Sequence, residues 1–424
     1  MRQSIIFVES GNRAEEIPVI TGLGFNVIFV SSGMLPYDEH NFNEDSKCIV
    51  DKGIVQYDRL AEIVKELHGL FTIRTIISTS DYFVHSVSLL CEQYRYPSLN
   101  SISASIFQNK NRFREKQQEL QYAAPEFHCF DSLQDAVNFY QSSKKKQWVF
   151  KPINGNESVA VRLINSESEL NDCYRQLKYL SRYTGTLLMP SFLLEEFIEG
   201  CIYSCEFMVS AGHLHILGVT NRLMSQLPYF IELGYSFPVR GFIADLIIEE
   251  TKRFVKDFQY DFGPCHIEFI VSPDRKIYIL EVNPRLIGPP NPWMIDKALG
   301  ISVFEIVCKL YIFGGLVEAA YFDSKYSTCL EVISPVSGQL GRVKIDMKYL
   351  NRSDVKIIYL KKEMAYVNRA ASNTDIVARI LTVAESIDEA RQLALTIYES
   401  IRLELCIKPV PLTMEREDDI NGHL

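Results

Sequence analysis

The sequence has no long hydrophobic run. No stretch approaches the ~18 uninterrupted apolar residues that a membrane helix needs, so we expect no membrane span. The chain begins MRQSIIFVES, which enters a strand-like run at once and lacks the long apolar region and small-residue cleavage site of a signal peptide. These absences predict a cytoplasmic protein without a membrane partner.

Positive charge is not in excess. The chain has 44 Lys and Arg residues against 53 Asp and Glu residues, which gives a formal net charge of −9 at pH 7. This balance argues against a nucleic-acid partner, because nucleic-acid binding relies on an extended basic surface. It is compatible with a local basic cleft for a small phosphate compound.

The cysteines form no recognisable metal or redox pattern. There are ten of them, the closest pair is Cys201 and Cys205, and no CxxC pair occurs. We therefore expect buried, reduced thiols that act as small apolar side chains. Disulfides are not expected in a cytosolic protein of this kind.

What the sequence does have is an ordinary globular composition in a long chain. Apolar residues make up 47% and charged residues 23% of the 424 residues, which excludes disordered and fibrous classes. A single hydrophobic core stops growing near ~250–300 residues, so the length predicts more than one domain.

The N-terminal quarter alternates short apolar strands with amphipathic helices. Strands are predicted at residues 4–8, 26–30 and 75–78, and residues 59–68 place their apolar side chains on one helical face. This alternation is typical of a parallel sheet covered on both faces. No GxGxxG motif closes the first turn, so the nicotinamide-type dinucleotide fingerprint is absent. We predict a Rossmann-like domain over residues 1–100.

The rest of the chain is richer in strands. From Gln147 onward apolar strand segments follow one another closely, and a helix is predicted at residues 387–401 behind a Ser386 cap. We predict a second domain over residues 101–318, with a lid subdomain at about 145–200, and a small α+β domain over residues 319–424. The predicted fold class is therefore α/β and α+β, with several domains.

A predicted β-hairpin carries the strongest chemical signal. Glu268 lies on its first strand, and Glu281 and Asn283 lie at the end of its second strand. Strand side chains alternate between faces, so Glu281 and Asn283 point the same way and antiparallel pairing brings Glu268 opposite them. Two carboxylates and an amide oxygen make a hard oxygen site, which suits Mg²⁺ rather than Zn²⁺. The alternative is a solvated hairpin edge with a surface ion pair.

Basic and hydroxyl side chains are candidates for phosphate contacts. Arg285, two residues after Asn283, offers a planar donor fork for a phosphate or a carboxylate. Lys151 ends the apolar strand WVFKP, and Lys110 lies on the preceding helix; either one could instead be a surface lysine. Ser158 closes a polar turn whose backbone N–H groups could cover phosphates like a lid.

The segment LLEEFIEG combines acidic and apolar side chains. Glu195, Phe197 and Ile198 lie in it, and such a segment can bind an adenine edge through a carboxylate and backbone groups between apolar walls. Taken alone this motif is weak, because any edge strand could have it. Glu206, on the next strand, is a further candidate for a nucleotide contact.

In the order FKP…GNES, EEFIEG…CEF, CHIEF and EVNPR, the chain closely resembles the ATP-grasp superfamily. Within it the chain resembles the carboxylate–amine ligase branch, which includes L-amino acid ligases and is related to biotin carboxylase. The resemblance covers nearly the whole chain and implies a Rossmann-like N-terminal domain, an ATP-grasp body and a small C-terminal domain. It also implies ATP with Mg²⁺, or with Mn²⁺ in its place, and a homodimer as the assembly.

The resemblance implies a role for each candidate residue. These roles are Mg²⁺ binding for Glu268, Glu281 and Asn283, phosphate contacts for Lys110 and Lys151, adenine contacts for Glu195, Phe197 and Ile198, and stabilisation of an acyl phosphate for Arg285. One departure from the family concerns the lid turn, which has a single glycine, Gly155, where relatives usually have several. A closing lid needs backbone freedom, so this departure bears on lid movement.

We expect an ATP-dependent ligase with small-molecule substrates. It would activate an amino acid carboxylate as an acyl phosphate and join it to an amine, which forms a dipeptide or a related amide. Two alternatives stay open: an ATP-grasp enzyme that activates another carboxylate, such as bicarbonate or a pathway-specific acid, and a non-catalytic nucleotide-binding protein. The complete set of Glu268, Glu281, Asn283 and Arg285 counts against the last alternative.

Overall fold

The computed structural model describes residues 2–155, 158–183, 188–316 and 325–406. In this part of the chain the strands form four sheets, of four, eight, three and four strands. No helix of the described part is both long enough and apolar enough to cross a membrane.

The N-terminal region is a parallel four-stranded sheet with helices on its faces. Its elements are β1 (Ser4–Val8), α1 (Glu16–Gly22), β2 (Asn26–Ser31), β3 (Ser46–Val50), α2 (Tyr57–Leu70), β4 (Ile73–Ile77) and α3 (Val84–Tyr94), with single 3₁₀ turns at Glu39–Asn41 and Lys52–Val55. The strand order is β3-β2-β1-β4, and every pairing is parallel.

Alternate residues of β1 explain why both faces are covered. Ile5 and Phe7 belong to a core shared with α1, whereas Ile6 and Val8 belong to a core shared with α2 and α3. All of β1 is buried, as expected of a parallel strand between two layers of helices. The predicted Rossmann-like sheet is present.

The next region contains four helices and a small antiparallel sheet. Its elements are α4 (Ser101–Gln108), α5 (Lys110–Glu119), β5 (Phe127–Phe130), α6 (Leu133–Ser142), β6 (Trp148–Pro152), β7 (Arg162–Ile164), α7 (Glu167–Tyr183) and β8 (Phe192–Glu196). The strand order is β5-β8-β6-β7. Buried Trp148, Phe150 and Phe192 pack this sheet against α6 and α7.

A large antiparallel sheet forms the body of the protein. Its first part comprises β9 (Cys201–Ser210), β10 (His213–Met224), β11 (Glu232–Val239), α8 (Phe242–Asp257), β12 (Gly263–Val271), β13 (Ile277–Asn283), α9 (Asn291–Leu299) and α10 (Val303–Phe313). The C-terminal elements are β14 (Tyr326–Ile333), β15 (Gly338–Lys344), α11 (Met347–Leu350), β16 (Val355–Tyr359), β17 (Tyr366–Val367), β18 (Ile376–Ala384), α12 (Ile387–Ser400) and β19 (Arg402–Cys406), with a 3₁₀ turn at Asn373–Asp375.

Strands from both parts join in one sheet. Its order is β13-β12-β9-β10-β11-β14-β18-β16, while β15 pairs with β17 and β19 in a separate small sheet. Three C-terminal strands therefore continue the body sheet. Ser386 caps α12 as predicted, since its side chain accepts from the Glu389 N–H. The mixed α/β and α+β fold class is confirmed, and the domain boundaries stay a prediction.

The loop after β1 packs tightly against the end of β4. The Gly11 N–H donates to Thr79 Oγ1 at 3.1 Å. A Cβ atom on Gly11 would lie 2.3 Å from the Thr79 carbonyl oxygen and 3.3 Å from Arg285 Cδ. The parallel strands β1 and β4 thus bring their carboxyl ends together at the edge of the sheet that Arg285 approaches.

Gly11→Ala should therefore disturb this edge. We expect the free energy of unfolding to fall by roughly 1–3 kcal/mol, because the added methyl group meets backbone that cannot move away easily. Gly69→Ala is the control, since Gly69 lies in α2 with nothing within 4 Å of an added Cβ. Alanine in a helix should leave stability unchanged or raise it by up to about 1 kcal/mol. Equal effects in a denaturant titration would contradict the close packing.

Candidate active site

The hairpin of β12 and β13 brings the predicted metal ligands together. Glu268 pairs directly with Glu281, and His266 pairs with Asn283. Because paired residues share a face and side chains alternate along each strand, all four side chains lie on one face of the sheet. The predicted convergence of Glu268, Glu281 and Asn283 is therefore present in the structure.

Lys110 closes one side of this group. As the first residue of α5, it places its Nζ atom 2.7 Å from Glu281 Oε1 and 2.9 Å from the Gly155 carbonyl oxygen. The side chain of Asn109 caps the helix by accepting from the Arg112 N–H at 3.1 Å. Lys110 thus links the start of α5, the turn after β6 and the hairpin.

A buried hydrogen-bonded chain holds Glu268. Its Oε1 atom lies 2.9 Å from His266 Nε2 and 3.1 Å from Arg222 Nη2, and His266 Nδ1 lies 3.0 Å from Glu206. Burial would lower the pKa of His266, but Glu206 and Glu268 outweigh it and raise that pKa. Burial would raise the pKa of Glu268, but Arg222 and His266 keep it well below its usual range. Glu206 is 1% exposed and also accepts from the Ser204 hydroxyl. The structure therefore buries this carboxylate, which was predicted from the sequence as a nucleotide contact.

A second buried group joins Lys151 to Glu195. Lys151 Nζ lies 2.5 Å from Glu195 Oε2, and Arg114 Nε lies 2.8 Å from Glu195 Oε1. Burial would raise the pKa of Glu195, but Arg114 and Lys151 outweigh it and lower that pKa to about 2. Burial lowers the pKa of Lys151, against the opposing effect of Glu195. Since the Glu195 side chain is only 2% exposed, it forms an internal ion pair here instead of facing the cleft as predicted for an adenine contact.

The remaining nucleotide candidates lie along two connecting segments. Ser158 is half-buried and has a φ of 54°, in the left-handed region that few side chains adopt. Phe197 and Ile198 are half-buried in the link between β8 and β9. The two residues before Ser158, Asn156 and Glu157 of the predicted lid turn, lie outside the described residues.

Arg285 reaches the N-terminal region. Its Nε atom donates to Asp81 Oδ1 at 2.7 Å, its Nη2 atom donates to Asp81 Oδ2 at 2.6 Å, and its Nη1 atom donates to the Leu286 carbonyl at 3.0 Å. Asp81 lies in the segment between β4 and α3. This bidentate ion pair joins the hairpin to the carboxyl edge of the Rossmann-like sheet.

A cleft lies between the N-terminal region, α4, the turn after β6 and the hairpin. Its polar lining includes Asp81, Gln108, Lys110, Glu281 and Asn283. Among the described residues the Asn283 side chain has no hydrogen-bond partner, although Asn283 is only 8% exposed. Its amide is therefore free to bind a ligand in the cleft.

The donor set fits Mg²⁺. Glu268 and Glu281 supply carboxylate oxygens, and Asn283 supplies an uncommitted amide oxygen beside them. Mg²⁺ is usually bound by one or two carboxylates and completes its shell with water and substrate phosphates. The described residues contain no group of three or more His, Cys, Asp or Glu side chains that could hold a metal ion.

Three of the residues that build the site were missed by the sequence reasoning. Asp81, Arg114 and Arg222 each pair with a carboxylate or guanidinium that is distant along the chain. For Asp81 a signal was present, because it lies three residues after the predicted strand at residues 75–78, at the carboxyl edge where ligand-binding groups of parallel sheets gather. For Arg114 and Arg222 no local pattern distinguished them from surface arginines.

Comparison with known proteins agrees with this geometry. Residues 145–290 match the family model of the ATP-grasp domain. The uncharacterised protein y4rH of Sinorhizobium fredii is 23% identical over 350 residues, which cover 81% of this chain and 70% of that protein. The L-amino acid ligase of Bacillus licheniformis superposes with a TM-score of 0.80 at 18% identity, over 96% of this chain and 99% of that one.

A further similar structure contains bound nucleotide. It is the biotin carboxylase domain dimer of the Hydrogenobacter thermophilus 2-oxoglutarate carboxylase, in complex with ADP, its magnesium salt and bicarbonate. Its TM-score is 0.65 at 14% identity, over 94% of this chain and 90% of that one. The predicted ATP-grasp resemblance and multidomain fold are confirmed by these matches.

The ion pairs of Glu195 predict a specific response to acid. Its lowered pKa means that its contribution to stability is present above pH 4.5 and is lost as the pH falls toward 2. Glu195→Gln should therefore lower the free energy of unfolding at pH 7 by about 3–5 kcal/mol, since it leaves Arg114 and Lys151 buried without their anion. It should also flatten the loss of stability between pH 4.5 and 2.

Glu196→Gln, one residue further along β8, is the matched control. Glu196 pairs with Lys145 at 2.9 Å, but its side chain is 34% exposed. A half-exposed pair is worth about 0–1 kcal/mol, so this variant should keep nearly the wild-type pH dependence in urea titrations. Similar acid profiles for wild type and Glu195→Gln would show that the carboxylate of Glu195 is not held by the two cations.

Proposed function

We propose that this chain, which carries an ATP-grasp domain and has the fold of the ATP-grasp ligases, is an ATP-dependent carboxylate–amine ligase. It activates the carboxylate of an amino acid as an acyl phosphate and joins it to an amine, which gives a dipeptide or a related amide, ADP and phosphate. The observation that carries the proposal is the hairpin, on which Glu268, Glu281 and Asn283 share one face of the sheet. Lys110 pairs with Glu281, and the side chains of Lys110, Glu281 and Asn283 line the adjoining cleft. Such an arrangement suits phosphoryl transfer to an anionic acceptor.

Glu268, Glu281 and Asn283 would hold Mg²⁺, with Mn²⁺ as the alternative metal. When bound, the ion neutralises negative charge on the transferring phosphoryl group. Support comes from the uncommitted amide of Asn283 beside the paired carboxylates and from the magnesium salt of ADP in the similar biotin carboxylase domain. His266 and Arg222 orient Glu268, so the ligand atoms are positioned before substrates arrive.

The cationic side chains serve the phosphates. Lys110 lies against Glu281 and the turn after β6, so a phosphate entering the cleft meets its ammonium group. Lys151 is held by Glu195, which fixes the position of its Nζ atom at the end of β6. We assign Glu195 to the positioning of Lys151, and Glu206 to the positioning of His266, which contacts Glu268. Ser158, Phe197 and Ile198 remain proposed nucleotide contacts.

The reaction has two steps. A carboxylate oxygen of the acid attacks the γ-phosphorus of ATP, the bond to the bridging oxygen of ADP breaks, and ADP leaves. The amine nitrogen then attacks the carbonyl carbon, loses a proton, and displaces phosphate as the C–O bond breaks. Arg285 supplies N–H donors for the charge that develops on the acyl oxygens, and a closed cleft protects the acyl phosphate from water.

The substrate class is tested by phosphate release. Purified protein with ATP and Mg²⁺ is assayed against a matrix of single and paired amino acids, with bicarbonate as a separate arm. Release that needs an amino acid, together with amide product detected by mass spectrometry, supports the ligase. Release that depends on bicarbonate alone would assign the chain to a different carboxylate and contradict the proposal.

Glu281→Gln tests the metal ligands. The substitution keeps the shape of the side chain but removes a charge next to Lys110. We expect phosphate release to fall at least about 100-fold, because stabilisation of the transferring charge is worth several kcal/mol. Melting temperature should change little, since the Glu281 side chain is 29% exposed.

Glu249→Gln is the control for this variant. Glu249 is an exposed carboxylate of α8 that pairs with Lys252 and is not among the cleft-lining residues. It should retain wild-type phosphate release. Turnover of Glu281→Gln within twofold of this control would show that Glu281 is not a ligand of the catalytic metal.

A further inference from the structure

Asp81 forms the only contact between a carboxylate and Arg285 at hydrogen-bond distance among the described residues. The two oxygens of Asp81 accept from Nε at 2.7 Å and from Nη2 at 2.6 Å, so the pair is bidentate. The side chains are 14% and 22% exposed for Arg285 and Asp81. Paired planar groups of this kind fix orientation as well as charge.

The backbone around Asp81 is itself held. The side-chain amide of Gln108, the last residue of α4, donates to the carbonyl oxygens of Asp81 at 3.1 Å and Tyr82 at 2.7 Å. The Phe83 N–H donates to the Ser80 carbonyl at 2.9 Å, which closes the turn around Asp81. Asp81 is therefore presented from a fixed segment and not from a free loop.

The pairing with Asp81 leaves some N–H groups of the Arg285 guanidinium available for a ligand. A guanidinium group has five N–H donors. Asp81 takes one on Nε and one on Nη2, and the Leu286 carbonyl takes one on Nη1. One N–H group on Nη1 and one on Nη2 remain for a ligand. The Nε side of the guanidinium is used by Asp81, so only the Nη side is left to bind substrate.

We propose that Asp81 is the positioning residue for Arg285 and directs the two remaining N–H groups of its Nη atoms toward the acyl oxygens in the cleft. This inference rests on the proposed function and deepens it. Asp81 acts through Arg285 and does not contact the reacting atoms. Its effect should therefore appear in the turnover number and in the coupling to Arg285, and not in the affinity for nucleotide.

The experiment is a double-mutant cycle. Asp81→Asn, Arg285→Ala and the double variant are compared with wild type by kcat, KM and titration calorimetry with Mg·ATP. The amide of asparagine has one acceptor oxygen and no charge, so the bidentate pair is lost with little change of volume. We expect kcat of Asp81→Asn to fall at least tenfold and its Mg·ATP dissociation constant to stay within threefold.

The coupling between Asp81→Asn and Arg285→Ala distinguishes a positioning role of Asp81 from a structural one. In the Arg285→Ala background, Asp81→Asn should change kcat by less than threefold, because its partner is already gone. Asp81→Glu keeps two acceptor oxygens and the charge, and should retain more turnover than Asp81→Asn. Effects of Asp81→Asn that multiply with those of Arg285→Ala would overturn the proposal. So would a lower KM for the acid with kcat kept, which would mean that Asp81 competes with the substrate for Arg285.

Asp354→Asn is the matched control. Asp354 accepts from Arg352 Nε at 2.9 Å and Nη2 at 2.6 Å, the same bidentate geometry on an exposed surface. This variant should keep wild-type kcat. A loss of turnover equal to that of Asp81→Asn would show that breaking such a pair acts through general stability.

Failure of the proposed role of Asp81 can be distinguished from failure of the proposed ligase activity. The cycle is run on whichever acceptor gives the fastest ATP cleavage by wild type, whether an amino acid, bicarbonate or water. The identity of that acceptor tests the proposed function, and the coupling measured with it tests Asp81. If the wild-type protein uses bicarbonate, and Asp81→Asn and Arg285→Ala are strongly coupled, the result would contradict the amino acid ligase and support the positioning role of Asp81.

Discussion

The structure depends on pairing every buried charge of the cleft with an opposite charge. An ion in the interior of a protein loses several kcal/mol of hydration, and only close partners compensate for it. Glu195 pairs with the cations of Arg114 and Lys151, and Arg285 pairs with Asp81. In each case the two partners come from different parts of the chain. Neutralising these charges therefore also fixes how the N-terminal region, α5, the small sheet and the hairpin meet.

Backbone contacts and ion pairs also connect the small sheet to the proposed metal ligands. Strand β7 lies at the edge of that sheet, and its Leu163 N–H donates to the Pro228 carbonyl at 3.0 Å, while Arg162 forms an isolated bridge with Tyr229. The segment then enters β11, where Glu232 contacts Arg222, the partner of Glu268. A continuous series of contacts thus runs from the edge of the small sheet to a proposed metal ligand.

The sequence was most informative where chemistry and local geometry coincide. A period of two along β13 places Glu281 and Asn283 on one face, and the direct pairing of Glu268 with Glu281 follows from the short hairpin. The parallel N-terminal sheet was equally predictable, because its continuous apolar strands alternate with amphipathic helices. Both features show in the local pattern of apolar and polar residues within each element.

Contacts between distant segments account for what sequence reasoning could not provide. Lys110 and Lys151 were predicted as phosphate contacts and Arg285 as an acyl phosphate contact, but the partners that these charges have in the structure could not be derived from spacing. The same limit applies to Glu195 and Glu206, whose carboxylates looked available for a nucleotide and are instead buried in ion pairs. A carboxylate motif on a strand does not show whether a cation from another element will cover it.

The most direct test of the account follows one oxygen atom. If the acid is activated as an acyl phosphate, an oxygen of its carboxylate becomes the bridging oxygen and leaves with phosphate when the amine attacks. Amino acid labelled with ¹⁸O in its carboxylate, incubated with ATP, Mg²⁺ and an amine acceptor, should give one ¹⁸O atom in each phosphate released, as read by mass spectrometry. Phosphate without label, formed together with amide, would contradict the account.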